Sequence, residues 1–172
     1  LCCGASALGV AVATSVNALH PQTAVELYAA DIEHPAVECA RRNVRRLRGQ
    51  VFEGDLFDPL PRSLLGRVEI LLANVPYVPS EAIALLPPEA RDHEPRVTLD
   101  GGDDGLAVLR RVSAEASQWL APGGHVFFET SEQQALAAQH AVAGGGLDSR
   151  IVHSEEHDAT VIVGTRVEPH GK

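Results

Sequence analysis

The chain has 172 residues, 45% hydrophobic and 22% charged, which is enough for one well-cored domain of ordinary globular composition. Its formal net charge of -9, with 14 basic residues in no long cluster, argues against a sequence-independent grip on nucleic acid; the densest basic group, Arg41 and Arg42 through Arg48, has the spacing of a solvated helix face. No run of about 18 apolar residues marks a membrane span and no signal sequence opens the chain, while three cysteines, Cys2, Cys3 and Cys39, cannot build a disulfide framework and fit a reducing cytoplasm.

The chain has no methionine, so it is expected to be part of a longer protein. It opens on Cys2-Cys3-Gly4-Ala5-Ser6, small residues running into a helical stretch from Leu8 to Ala13, and a strand is expected to precede them. Small residues at a strand-to-helix turn let backbone approach a ligand, and the helix start adds free N–H groups; a close-packed helix start suits them equally. Val25 to Ala30 reads as a strand closed by Asp31. A carboxylate there can accept hydrogen bonds from ribose hydroxyls, and Ile32 can lie against a base, though Asp31 also suits a cap on the helix from His34 to Val44, where Val37, Ala40 and Val44 share one face. Gln50 to Glu53 is a short strand, and Gly54-Asp55-Leu56-Phe57 follows as a loop. In that loop Asp55 can accept from an exocyclic amine between apolar walls, or simply form a turn.

The apolar run Ile70 to Ala73 predicts a buried strand, and Asn74-Val75-Pro76-Tyr77 stands at its carboxyl end, where open α/β sheets bind ligands. Asn74 offers a side-chain acceptor, Val75 a main-chain carbonyl and Tyr77 a flat ring with a polar tip. Together they can hold a planar NH2 group, and an ordinary turn with a packed tyrosine is the plainer alternative. Pro79 to Leu86 is expected to form a short helix, and Pro87 to Arg96 a charged, proline-punctuated loop leading to Leu99-Asp100-Gly101-Gly102. Gly105 to Trp119 has helical spacing and stops at Pro122-Gly123-Gly124. Val126 to Phe128 is the next strand and Glu132 to Ala143 a helix; Ile151-Val152 and Ala159 to Gly164 then close the sheet as an antiparallel pair. Alternating strands and helices predict an α/β fold with a doubly wound, mostly parallel sheet, without internal repeat or interior domain boundary. His153-Ser154-Glu155-Glu156-His157 matches a zinc pattern by letter, but it bridges two strand-like runs rather than riding one helix, so no metal site is expected.

Taken together these pieces resemble the Rossmann-like class I S-adenosylmethionine-dependent methyltransferases, and within them the protein-(glutamine-N5) methyltransferases of the HemK/PrmC group. The most specific parts are Asn74 to Tyr77 against the family's N-P-P-Y, and the run Pro88 to Arg96 continuing through Leu99-Asp100-Gly101-Gly102 and Asp104-Gly105-Leu106. Related N/D-P-P-Y methyltransferases that act on nucleic-acid bases lack that second run. The resemblance implies a single S-adenosylmethionine-dependent methyltransferase domain over residues 1–172, without the family's first strand and helical recognition domain. It implies Cys2, Cys3, Gly4, Ala5 and Ser6 beside the methionine part of the cofactor, Asp31 and Ile32 at the ribose and base, and Asp55 and Leu56 at the adenine. Asn74, Val75, Pro76 and Tyr77 would hold a glutamine amide of a release-factor-like protein, with Asn74 also near the cofactor. The chain departs from the family in keeping one glycine of the G-x-G-x-G loop and in carrying Val75 for the first proline. A nucleic-acid amino-methyltransferase and a protein-binding relative without turnover are the competing readings.

Overall fold

A computed structural model describes residues 1–168, which divide into two compact units, Leu1–Arg62 and the residues from Ser63 onward. In the first unit, Cys2 to Ser6 lead into α1 (Ala7–Leu19), followed by β1 (Tyr28–Asp31), α2 (His34–Asn43) and β2 (Gln50–Glu53). β1 and β2 pair in parallel, from Tyr28 opposite Gln50 to Asp31 opposite Glu53. Parallel neighbours need a crossover connection, which α2 supplies; its Val37 and Ala40 are buried, as the spacing predicts, and Pro35 sits in its first turn. β1 is shorter than the apolar run from Val25 suggests. β2 begins only at Gln50, after a tight helical turn over Val44–Leu47, so Val25 and Glu26 have no residue of β2 opposite them. On the other side of β1 the Cys3 N–H donates to the Ala30 carbonyl at 3.1 Å, so the start of the chain lies beside β1.

The second unit contains β3 (Val68–Ala73), α3 (Pro88–His93), α4 (Arg96–Leu99), α5 (Ala107–Trp119), β4 (Leu120–Thr130), α6 (Ala135–Gly144), β5 (Asp148–Ser154) and β6 (Ala159–Thr165). The strand order is β3-β4-β6-β5. β3 and β4 are parallel, with α5 in the crossover, and β6 is antiparallel to both neighbours, as expected for the last strand. Leu109, Val112 and Ala116 of α5, Val126 and Phe128 of β4, Val142 of α6 and Ile162 of β6 are buried, forming the core of this unit. Burying side chains of this size stabilises by about 1.5–3 kcal/mol each, so the sheet face sets the register.

Three local expectations are corrected. Pro79 to Leu86 folds into consecutive tight turns rather than an α-helix, the Ala82 N–H donating to the Pro79 carbonyl at 2.8 Å ahead of the short helical turn at Ile83–Leu85, while the Ser80 N–H donates to the Gly102 carbonyl at 3.0 Å. Pro87 to Arg96 is not an irregular loop: Pro88 opens α3, and Pro95 stands at the cap of α4, positions where a missing N–H costs nothing. Pro122-Gly123-Gly124 does not end an element but bulges within β4, where the register jumps from Val68 opposite Leu120 to Ile70 opposite His125. The Arg166 guanidinium donates to the Leu120 carbonyl and secures the bulge, together with the Gly123 and Arg166 backbone N–H groups, which donate to Arg166 and Gly124 at 2.9 Å each.

Candidate active site

In the first unit, Cys2 to Ser6 form a turn in which Cys2, Gly4 and Ser6 all take the left-handed conformation, at φ 49°, 51° and 59°. That conformation normally asks for glycine, and only Gly4 supplies it. Asp31, 8% exposed at the end of β1, holds this turn. Its Oδ2 accepts from the Gly4 N–H at 2.7 Å, and its Oδ1 accepts from the Glu33 N–H at 3.0 Å, just ahead of α2. Asp31 therefore clamps the turn and braces the helix start with one carboxylate, and each oxygen keeps a second lone pair. The Cys3 thiol is pushed up to about 11, first by burial and then by the charge of Asp31, so it stays protonated at neutral pH. Asn43 donates to the Ala5 carbonyl at 2.8 Å and ties the same turn to α2.

The ground above Gly4 is open: a Cβ placed there would meet no heavy atom within 4 Å. Ile32, next to the clamp, is 50% exposed, an apolar side chain left in solvent. Asp55 is half-buried in the loop after β2, and its carbonyl accepts from the Asp58 N–H at 3.0 Å. Leu56 is 7% exposed and Phe57 is buried, so their side chains pack inward. A turn with open space, an adjacent carboxylate with unused lone pairs and an exposed apolar residue suit a ligand that combines a polar chain, a sugar and a base.

In the second unit, Asn74 to Tyr77 leave the carboxyl end of β3. The loop alternates: Val75 (2% exposed) and Pro76 are buried, whereas Asn74 and Tyr77 (36% exposed) face solvent. Burial of the middle pair fixes the loop, and the outer pair is presented. Asn74, Val75, Pro76 and Tyr77 line a cleft of about 340 Å³ together with Val78, Leu86, Glu94, Thr98, Leu99 and Glu129. Glu129 was not singled out by the sequence reading. Ala73 is level with Phe128, so Asn74 and Glu129 are the next residues along two adjacent parallel strands. The rule that singles out Asn74, a polar residue after a buried run, also applies to Glu129 after Val126 to Phe128.

The run after α4 holds the outgoing side of this loop. The Val78 N–H donates to Leu99 at 3.1 Å, and the Gly101 N–H donates to Val78 at 2.8 Å. Asp100 gathers three donors: Ser80 Oγ at 2.5 Å, the Gly102 N–H at 3.0 Å and Arg96 Nε at 3.0 Å, which together lower its pKa. Among the described residues no group of histidine, cysteine, aspartate and glutamate could hold a metal ion. The His153 ring instead bonds Thr160 Oγ1 across the β5–β6 pair at 3.1 Å.

No family model matches the chain. Its fold matches that of a methyltransferase from Pyrococcus furiosus at TM-score 0.63 and 13% identity, covering 91% of this chain and 69% of that one. It also matches the S-adenosylmethionine-dependent methyltransferase SibL at TM-score 0.56 and 17% identity, covering 97% and 49%. The fold is that of the class I S-adenosylmethionine-dependent methyltransferases. In sequence the chain is 35% identical over 131 residues to the release factor glutamine methyltransferase of Thermosynechococcus vestitus, covering 74% of this chain and 44% of the relative. It is 37% identical over 140 residues to the ribosomal protein uL3 glutamine methyltransferase of Bradyrhizobium diazoefficiens, covering 79% and 41%. The chain belongs to this family of protein-glutamine methyltransferases, and it spans less than half the length of these curated relatives. No helix among the described residues is long and apolar enough to cross a membrane.

Proposed function

We propose that residues 1–172 form the methyltransferase domain of a cytoplasmic enzyme that methylates the side-chain amide nitrogen of a glutamine in a protein, either a release factor or a ribosomal protein. The names of the sequence relatives support that substrate class. When bound, S-adenosylmethionine supplies an electrophilic sulfonium methyl group. Cys2 to Ser6, Asp31, Ile32, Asp55 and Leu56 are assigned to holding it, with Asp31 accepting from the ribose while keeping its bonds to Gly4 and Glu33.

An amide nitrogen is a poor nucleophile because its lone pair is delocalised into the carbonyl. Asn74 Oδ1 and the Val75 main-chain carbonyl would each accept one of its hydrogens, and Tyr77 and Pro76 would bound its plane; the nitrogen would take the methyl from the bound cofactor, the S–CH3 bond breaking to leave the neutral thioether as the N–CH3 bond forms, with one amide proton released to solvent. The observation that carries this reading is the alternation in the loop, which buries Val75 and Pro76 and presents Asn74 and Tyr77 to the cleft.

Asn74→Ala removes an acceptor aimed at the reacting nitrogen, and turnover on a glutamine-bearing protein should fall about 10²–10³-fold, or about 2.7–4 kcal/mol, with cofactor affinity much less affected. Asn74→Asp keeps the oxygen and should fall between the two. Parallel loss of cofactor binding and activity in both variants would overturn the amide grip.

A further inference from the structure

The Tyr77 carbonyl is held by a side chain from the turn after β4. Gln134 closes the tight turn Glu132–Gln134 that follows β4, and its Nε2 donates to the Tyr77 carbonyl and to the Asp104 carbonyl, both at 3.0 Å. The carboxamide has one orientation: both carbonyls can only accept, so the NH2 must face them, and Oε1 is left to accept from Ser131 Oγ at 2.9 Å. Ser131 also accepts the Gln134 N–H at 3.2 Å, so the side chain is anchored at both ends. Gly105, at φ 75°, lies against this junction so closely that a Cβ there would collide with both the Tyr77 carbonyl and Gln134 Nε2. Only a residue without a side chain lets three segments meet here.

We propose that Gln134 is a positioning residue for methyl transfer: by holding the Tyr77 carbonyl it fixes the downstream end of the Asn74–Tyr77 loop. This rests on the reaction proposed above and adds a residue to it that touches neither substrate nor cofactor. The loop's upstream end is set by β3, which is paired to β4. Its downstream end has Val78 and Ser80 stitched to Leu99 and Gly102, and Tyr77 stitched to Gln134. Gln134 thus ties the residues after β4, the strand that carries Glu129, to the residues after β3, which carry Asn74. A loop that must present an acceptor within a few tenths of an ångström loses most of its effect when one anchor is cut, even if it stays folded.

The test uses the whole protein with Gln134→Met, which keeps length and bulk but has no donor, and Ser131→Ala, which removes only the bond that orients the carboxamide. The expected result is a kcat on glutamine substrate lowered about ten- to a hundredfold by Gln134→Met and by a smaller factor by Ser131→Ala. S-adenosylmethionine affinity should stay within about twofold in both, and amide hydrogen exchange at Val78 and Ser80 should quicken in the same order. Gln134→Lys, which restores N–H donors, should recover part of the exchange protection and of kcat. Unchanged exchange and kcat would overturn the proposal, as would losses that track the folded fraction or the cofactor affinity. Should the wild-type protein methylate no glutamine, the reaction assignment falls, and the exchange rates alone decide whether Gln134 holds the loop.

Discussion

Asp31 shows how much one side chain carries. Asp31→Ala leaves the Gly4 and Glu33 N–H groups without their acceptor, and stability in urea unfolding should drop by about 1–3 kcal/mol. If the same carboxylate also serves the ribose, S-adenosylmethionine binding measured by calorimetry should weaken by about 1–3 kcal/mol as well. A less stable protein with unchanged cofactor affinity would leave Asp31 as a clamp alone. The place of Asp31 at the end of β1 was legible in the sequence because an acid closes an apolar run there. Its bond to Gly4, 27 positions away, was not legible, since nothing local records which loop a carboxylate will meet. Gln134 escaped for the same reason: it is an ordinary polar residue in the sequence, and its meaning comes from two carbonyls 57 and 30 positions away.

At the scale of elements, the segment from α4 to α5 is held by charge as well as by backbone. Nη1 and Nη2 of Arg110 donate to Asp104, at 2.9 and 2.5 Å, and the Leu106 N–H adds a third bond at 3.1 Å. These hold the Asp104 carboxyl at about 2, below its usual 3.8, with the Arg110 bond the largest cause. A carboxyl whose folded value is depressed contributes stability above its unfolded value and loses it as pH falls through the folded one. Asp104 should therefore contribute to an acid-induced fall in Tm between about pH 4 and pH 2. Because the pair is half-exposed and screened, the slope is modest; Arg110→Gln should flatten it and lower Tm slightly at pH 7. A wild-type and variant pair with identical Tm profiles over that range would remove this role. Element types were mostly readable from periodicity, as in α2 and α5. The prolines misled because Pro88 and Pro95 look like loop punctuation, yet a proline fits the start of a helix as well as a turn.

For the whole molecule, the excess of acid over base has a local expression at the cleft, where Glu94 and Glu129 stand beside Asn74 and Tyr77. A neutral amide enters such a cleft more easily than a carboxylate of the same shape. A substrate peptide with glutamate in place of glutamine should compete poorly with the wild-type enzyme. Glu94→Gln with Glu129→Gln should improve its inhibition by about fivefold, the effect of about 1 kcal/mol of nearby like charge, with the gain shrinking in high salt. Equal inhibition before and after would show that the two carboxylates do not read the substrate. The described strands close two ladders, β1-β2 and β3-β4-β6-β5, with β1-β2 and β3-β4 parallel and β6 antiparallel to both its neighbours. Alternation of strand and helix fixes which segments are extended, but pairing is decided by partners distant in sequence, as where the Cys3 N–H bonds the Ala30 carbonyl on the side of β1 opposite β2. The alternation in the loop after β3 has a broader meaning for recognising such enzymes. Position 75 is answered by the protein interior, since Val75 is 2% exposed, and under the proposed amide grip only its main chain is offered to the substrate. A valine there in place of proline fills a buried position, and a search pattern demanding two consecutive prolines would pass over a chain that keeps asparagine, one proline and tyrosine in this loop.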